Sequence, residues 1–245
     1  MLCGLLDQSY KNVACSYESA RGISKNSPLQ IGPVATYETY SDYYHDLFLD
    51  INISRKQIKR DLVTYYRRIA RYPKESNIVI DKAPNAHLVR TKTLKSAFAK
   101  AKFILIYRDP VVSIEGLQRK WELFRKTSIH ELCDFWVSLH RIFLNDTNES
   151  HSDVLGIKYS HLVNNTEEEL FKIVQFCGLE KREHIFKYSD RPNIYGKGLH
   201  HIVQGEIKII NNRNSKINET VESDKVKMIR KKTAALYQNM NELFY

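Results

Sequence analysis

The sequence predicts an α/β fold, a mainly parallel sheet flanked by helices in three layers, on three observations. Segments 78–80, 103–107 and 154–159 are apolar nearly throughout, as strands covered on both faces require. Helical patterns lie between them, and helical crossovers joining parallel strands are the economical solution to that alternation. The third is bulk: 245 residues with 42% hydrophobic and 27% charged content suffice for a core of ordinary depth and exclude a wholly disordered chain.

Taken in order, 1–8 reads as part of a helix and 12–16 as a short strand leading out of the turn Tyr10-Lys11-Asn12. Ser, Asn, Gly and Pro across 22–33 mark a loop. Ser54 with Gln57 fits a capping box, and Ile58, Leu62, Tyr65, Tyr66 and Ile69 keep helical spacing until Pro73. Segments 88–100 and 111–125 read as helices. Ser128 with Glu131 caps another to about 144, and Thr166 with Glu169 caps one through 176 that Gly178 stops. A final helix spans 221–244, with Val226, Ile229, Ala234, Leu236 and Met240 forming its apolar side. No repeat or long linker interrupts the chain, so 1–245 is expected to be one domain, best supported over 78–179 and looser over 190–245.

The formal charge of +10 points to an anionic partner without choosing among nucleotide, sulfated or phosphorylated ligand, nucleic acid or acidic surface. Basic residues are dispersed among acids, and Tyr65-Tyr66-Arg67-Arg68 reads as a solvated helix edge, which disfavours nucleic acid. Cys3, Cys15, Cys133 and Cys177 form no CxxC pair, which speaks against zinc or a disulfide framework and for four buried thiols in a reducing compartment. Five N-x-[ST] sequons, at Asn52, Asn145, Asn148, Asn164 and Asn218, stand against a cytoplasmic address. No apolar run reaches the roughly 20 residues of a membrane span, and Asp7-Gln8 ends the apolar start too early for a signal peptide. The sequence therefore favours the cytoplasm.

In a parallel sheet, ligands bind beyond the carboxyl ends of the strands. Ile80 is followed by Asp81-Lys82-Ala83-Pro84-Asn85, Tyr107 by Arg108-Asp109-Pro110, and Tyr159 by Ser160-His161. Lys82 and Arg108 leaving adjacent strands would place two cations at one rim. Asp109 as cap and Pro110 at the first helical position also make a plain helix start, but that reading leaves the cation at Arg108 unexplained.

These residues resemble the sulfotransferases that use 3′-phosphoadenosine 5′-phosphosulfate. The stretch Phe103-Ile-Leu-Ile-Tyr-Arg108-Asp-Pro is similar to the family's strand and turn, whose Arg grips the donor's 3′-phosphate. Asp81-Lys82-Ala-Pro84 is similar to its D-K-x-P element, whose Lys reaches the transferring sulfuryl group. Lys158-Tyr159-Ser160-His161-Leu162 followed by Phe176-Cys177-Gly178-Leu179 resembles its Y-E-D-L and F-L-G-L elements. Order and spacing agree over 78–179.

The resemblance implies a P-loop nucleoside triphosphate hydrolase-like fold, the nucleotide sulfate donor as co-substrate, no metal, and a hydroxyl acceptor such as a carbohydrate. It implies Lys82 on the leaving group and Arg108 on the 3′-phosphate. Val13-Ala-Cys15-Ser-Tyr-Glu18-Ser19 resembles a C-G-E-E-T segment, which makes Glu18 the base that takes the acceptor proton. The serine that contacts the same phosphate eight residues after the Arg is Gly116 here, and Ser113 is the nearest hydroxyl. Tyr159 would line the adenine pocket. Lys197, in Tyr195-Gly-Lys-Gly-Leu-His200-His201, would sit on phosphate in a closing loop, or the segment is an ordinary surface turn.

Family members begin with a strand and a Gly/Ser/Thr-rich loop that cradles the 5′-phosphosulfate. Here Met1 already matches the helix after that loop, and no G-x-x-x-[ST]-G-[ST] pattern occurs downstream. The expectation is therefore a late-assigned start or a split copy, and the alternative to an active enzyme is a truncated relic or binding module.

Overall fold

The computed structural model describes residues 6, 10, 12–17, 55–69, 78–82, 88–89, 91–180, 200–203, 206–209 and 223–245. In chain order these form β1 (Val13–Tyr17), α1 (Arg55–Ile69), β2 (Ile78–Lys82), α2 (Thr91–Ala97), β3 (Phe103–Tyr107), α3 (Pro110–Lys120) and α4 (Ile129–Thr147). There follow β4 (Val154–Lys158), α5 (Tyr159–Asn164), α6 (Thr166–Cys177), β5 (His200–Val203), β6 (Glu206–Ile209) and α7 (Ser223–Phe244). The fold is mixed α/β with parallel strands and helices.

The parallel strands form two pairs. Val13 of β1 stands opposite Ile78 of β2, and the ladder continues to Tyr17 opposite Lys82. Phe103 of β3 stands opposite Val154 of β4, and that ladder ends with Tyr107 opposite Lys158. Alternation along β3 and β4 sends residues into two apolar layers. Phe103, Leu105, Tyr107 and Val154 pack with α3, α4 and α7 through Val111, Ile114, Trp136, Leu139, Ile229 and Met240. Ile104, Leu155 and Ile157 pack on the other side with Val13, Ile78, Ile80, Leu162 and Ile173. A common apolar layer thus joins the two pairs, although no hydrogen-bonded ladder connects them among the described residues.

Helix starts follow their local chemistry. Ser128 and Glu131 form the expected capping box at α4, with Glu131 N–H donating to Ser128 Oγ at 3.2 Å and Ser128 N–H to Glu131 Oε2 at 3.0 Å. Gly178 ends α6 in the left-handed region at φ 66°, which closes the helix with Leu179 N–H donating to the Val174 carbonyl at 3.0 Å. Asn12 ties this end to β1: its Nδ2 donates to the Gly178 carbonyl at 3.2 Å and its Oδ1 accepts from Glu180 N–H at 2.9 Å.

Several expectations are corrected. Asp81 and Lys82 belong to β2 rather than following it, because the ladder on β1 runs through both. Tyr159 opens α5 instead of ending β4; Lys158 is the last extended residue, and the chain turns helical after it. The helix after β3 stops at Lys120 because Trp121 turns extended, and a short 3-10 helix, Glu122–Phe124, follows. Thr166 does not cap α6: its hydroxyl donates backward to the Leu162 carbonyl at 2.8 Å, while Glu169 pairs with Lys172 at 2.8 Å. Ile106 is 40% exposed, so β3 is not covered throughout. Cys133 is buried but Cys177 only partly so. His200 and His201 lie in β5, which pairs antiparallel with β6, rather than in a loop or turn. The loop expected over 22–33 lies outside the described residues.

Candidate functional site

The end of β3 is built by three consecutive side chains. Tyr107 is 1% exposed, and its hydroxyl donates to Asn241 Oδ1 of α7 at 3.1 Å. Its ring meets Tyr237 edge-on at 6.1 Å. Asp109 is the N-cap of α3, accepting from Val111 N–H at 2.8 Å, and Pro110 supplies a first helical residue whose missing N–H is no loss. The helix-start reading of Asp109 and Pro110 holds. Arg108 stands between a side chain locked into the core and a helix start locked by its cap, so its backbone has little freedom.

The Arg108 guanidinium is half-buried over the Tyr159 ring, 4.6 Å from the centroid. Burial pushes it below its ordinary pKa, Tyr159 and Asp109 push it back up, and Arg119 adds to the lowering. An arginine stays charged through such a shift. Desolvation disfavours the charged form, and an anion brought alongside offsets that cost.

Further cations surround this junction. Arg230 of α7 lies 3.9 Å from Asp109, and the Lys158 ammonium lies over Tyr237 at 5.4 Å. Arg119 Nε donates to Glu115 Oε1 at 2.9 Å. A Cβ placed on Gly116 would meet nothing within 4 Å among the described residues. The end of α7 closes the far side: Lys158 N–H donates to the Tyr245 hydroxyl at 2.8 Å, and the His161 ring meets the Tyr245 ring at 4.6 Å. The arrangement can hold an anion against a flat aromatic face.

Of the residues singled out from the sequence, Arg108 and Tyr159 come together. Ser113 lies in the first turn of α3, its N–H donating to the Asp109 carbonyl at 3.0 Å. Lys82 is exposed at the end of β2. It does not leave a strand paired with that of Arg108, as expected, because β2 pairs with β1 and β3 with β4 among the described residues. Glu18 and Lys197 lie outside the described residues, as do Ala83, Pro84 and Asn85. Glu115, Arg119 and Arg230 were not anticipated. A Glu four residues before an Arg on one helix signalled the first two; Arg230, over 100 residues from Asp109, carried no local signal.

No group of three or more His, Cys, Asp or Glu is placed to hold a metal ion among the described residues. No helix among them is long and apolar enough to cross a membrane. The model of the sulfotransferase family matches residues 31–183, more than half of the chain. The match includes Lys82, Arg108, Ser113 and Tyr159 and excludes Glu18 and Lys197. No curated protein matches the sequence.

Proposed function

The chain belongs to the sulfotransferase family, and on that premise we propose that it moves a sulfuryl group from 3′-phosphoadenosine 5′-phosphosulfate to a hydroxyl of a carbohydrate or other small acceptor. The observation that carries this reading is Arg108: a half-buried cation held at the carboxyl end of a parallel strand, over an aromatic ring, within the matched segment. The parallel strands with apolar layers on both faces support a P-loop-like, three-layer domain spanning 1–245.

Sulfuryl transfer asks the protein for in-line placement, cations around the oxygens that gain charge, and a base. The acceptor oxygen forms a bond to sulfur as the bond from sulfur to the bridging oxygen breaks, and adenosine 3′,5′-bisphosphate leaves. Glu18 takes the hydroxyl proton. Lys82 neutralises charge building on the bridging oxygen. Arg108 and Ser113 hold the 3′-phosphate, Tyr159 lines the adenine pocket and Lys197 closes on phosphate. The cytoplasmic address favoured by the sequence stands against the five sequons.

Calorimetry with adenosine 3′,5′-bisphosphate tests the site. Micromolar binding that Arg108→Ala abolishes supports it, and binding unchanged by that substitution overturns it. Transfer of labelled sulfate to a sugar panel, lost in Lys82→Ala, supports the reaction. Nucleotide binding with no transfer to any acceptor would instead mark a binding module of sulfotransferase descent.

A further inference from the structure

Gln118 fastens two segments of the chain side by side. Its Nε2 donates to the Thr127 carbonyl at 3.0 Å, which holds the turn after α3, and its Oε1 accepts from the Lys225 ammonium of α7 at 2.7 Å. The surface on either side of this junction is cationic. Residues 120–126 carry Lys120, Arg125 and Lys126 against Glu122, and residues 224–231 carry Lys225, Lys227, Arg230 and Lys231 against Asp224. These seven basic and two acidic residues leave a net +5, half of the formal charge of the chain.

That charge is not neutralised from within. Arg125, Lys126 and Lys231 are exposed and make no ion pair among the described residues. Lys227 lies 3.4 Å from Asp224, but the two side chains are 76% and 94% exposed, and a pair so solvated contributes little. Like charges gathered in this way repel, and an anionic partner offsets the repulsion.

Two large apolar side chains stand among the cations. Trp121 follows Gln118 by about one helical turn and Met228 follows Lys225 by the same distance, and each is 44% exposed. Ile229 and Thr233 bury the inner side of α7, which leaves Lys227, Met228, Lys231, Ala234 and Ala235 on its outer side. A soluble polyanion draws on the cations but gains nothing from Met228. A bilayer interface uses both, since indole and thioether side chains enter the headgroup layer while ammonium and guanidinium groups meet lipid phosphates and carboxylates.

We propose that this face, from the end of α3 to the first half of α7, docks on an anionic lipid surface, with Trp121 and Met228 entering the headgroup layer. The attachment is peripheral and requires no spanning helix. It stands independently of the sulfuryl-transfer reading.

Sedimentation of the full chain with vesicles tests the proposal. Binding is expected to vesicles of phosphatidylcholine mixed with phosphatidylserine, to weaken with salt, and to be absent with phosphatidylcholine alone. Lys227→Gln combined with Lys231→Gln should weaken binding about thirtyfold, from two cations removed from the charged surface. A thermal melt confirms that the double variant folds. The chain has two tryptophans and Trp136 is buried, so Trp121 is the reporter: its emission should shift to the blue on the mixed vesicles, and Trp121→Phe should remove the shift. No binding to the mixed vesicles, equal binding to both kinds, or undiminished binding by the double variant overturns the proposal, as does binding without the emission shift. Salt-sensitive binding to heparin with none to vesicles also overturns it and assigns the face to a soluble polyanion.

Discussion

Arg108 and Tyr159 tie the carboxyl ends of two parallel strands together, with the guanidinium 4.6 Å above the ring centroid. Arg108 follows β3 and Tyr159 opens the helix after β4, and the last ladder pair beneath them is Tyr107 with Lys158. Stacking uses the face of a guanidinium, whereas its N–H donors radiate in the plane. The ring therefore orients Arg108 without consuming its N–H donors.

Removing the ring while keeping the volume should show this division of labour. Tyr159→Phe is expected to bind adenosine 3′,5′-bisphosphate as the unsubstituted chain does. Tyr159→Leu should weaken it by about 1 kcal/mol, roughly fivefold, the size of a partly buried cation–π contact. Calorimetry reads both, and a Leu variant as tight as the Phe variant would show that the ring does not orient the cation.

The packing of the terminal helix behind the site yields a second test. A Cβ on Gly156 would collide with the Phe244 ring, the closest approach found at any described glycine. Gly156 faces α7 in the middle of β4, so the missing side chain lets the helix end settle on the strand. Gly156→Ala should destabilise the fold by about 1–3 kcal/mol through overpacking. Phe244→Leu in the same chain should return part of that loss, a coupling expected only of residues in contact. Denaturant titrations of the two single variants and the double variant measure it; strictly additive losses would place the strain elsewhere.

What could be read from sequence was local. β3 was expected at 103–107 and lies there, because five apolar residues bounded by Lys102 and Arg108 admit few alternatives. The Ser128 box and the Gly178 stop are side-chain and backbone chemistry within four residues, and both stand. Strand pairing was not legible. Lys82 and Arg108 were expected on adjacent strands, yet neither Asp81-Lys82 nor Arg108-Asp109 encodes which strand lies alongside. The ladder partner of Lys82 is Tyr17, 65 residues away in sequence, and that of Tyr107, the residue before Arg108, is Lys158, 51 residues away. Thr166 misled for a local reason: a hydroxyl at a helix start can cap forward or bond back to the preceding turn, and here it bonds to Leu162. The support of the site by Asn241, Phe244 and Tyr245 left no trace in the sequence, since those contacts form only when α7 packs against β3 and β4.

His140 lies in α4 stacked on Trp136 with ring centroids 4.1 Å apart, and its Nδ1 is 2.8 Å from the Trp136 carbonyl. A carbonyl only accepts, so Nδ1 carries the proton in the neutral ring. Burial pushes the imidazole down to about 4, with the Trp136 carbonyl opposing the shift. The unfolded chain takes up this proton near 6.5 while the folded chain resists it until about 4. Stability from this group is therefore complete above pH 6.5 and is lost as the pH falls toward 4, by about 3 kcal/mol across the window. Below pH 4 both states are protonated and the loss stops growing. His140→Phe keeps a flat ring on Trp136 and removes the titration. Urea titrations at pH 7.5 and pH 4.5 should show the unsubstituted chain losing more stability between the two conditions than the Phe variant. Equal losses would mean that His140 is protonated in the folded chain at pH 4.5 and that acid acts on the fold through its other ionisable groups.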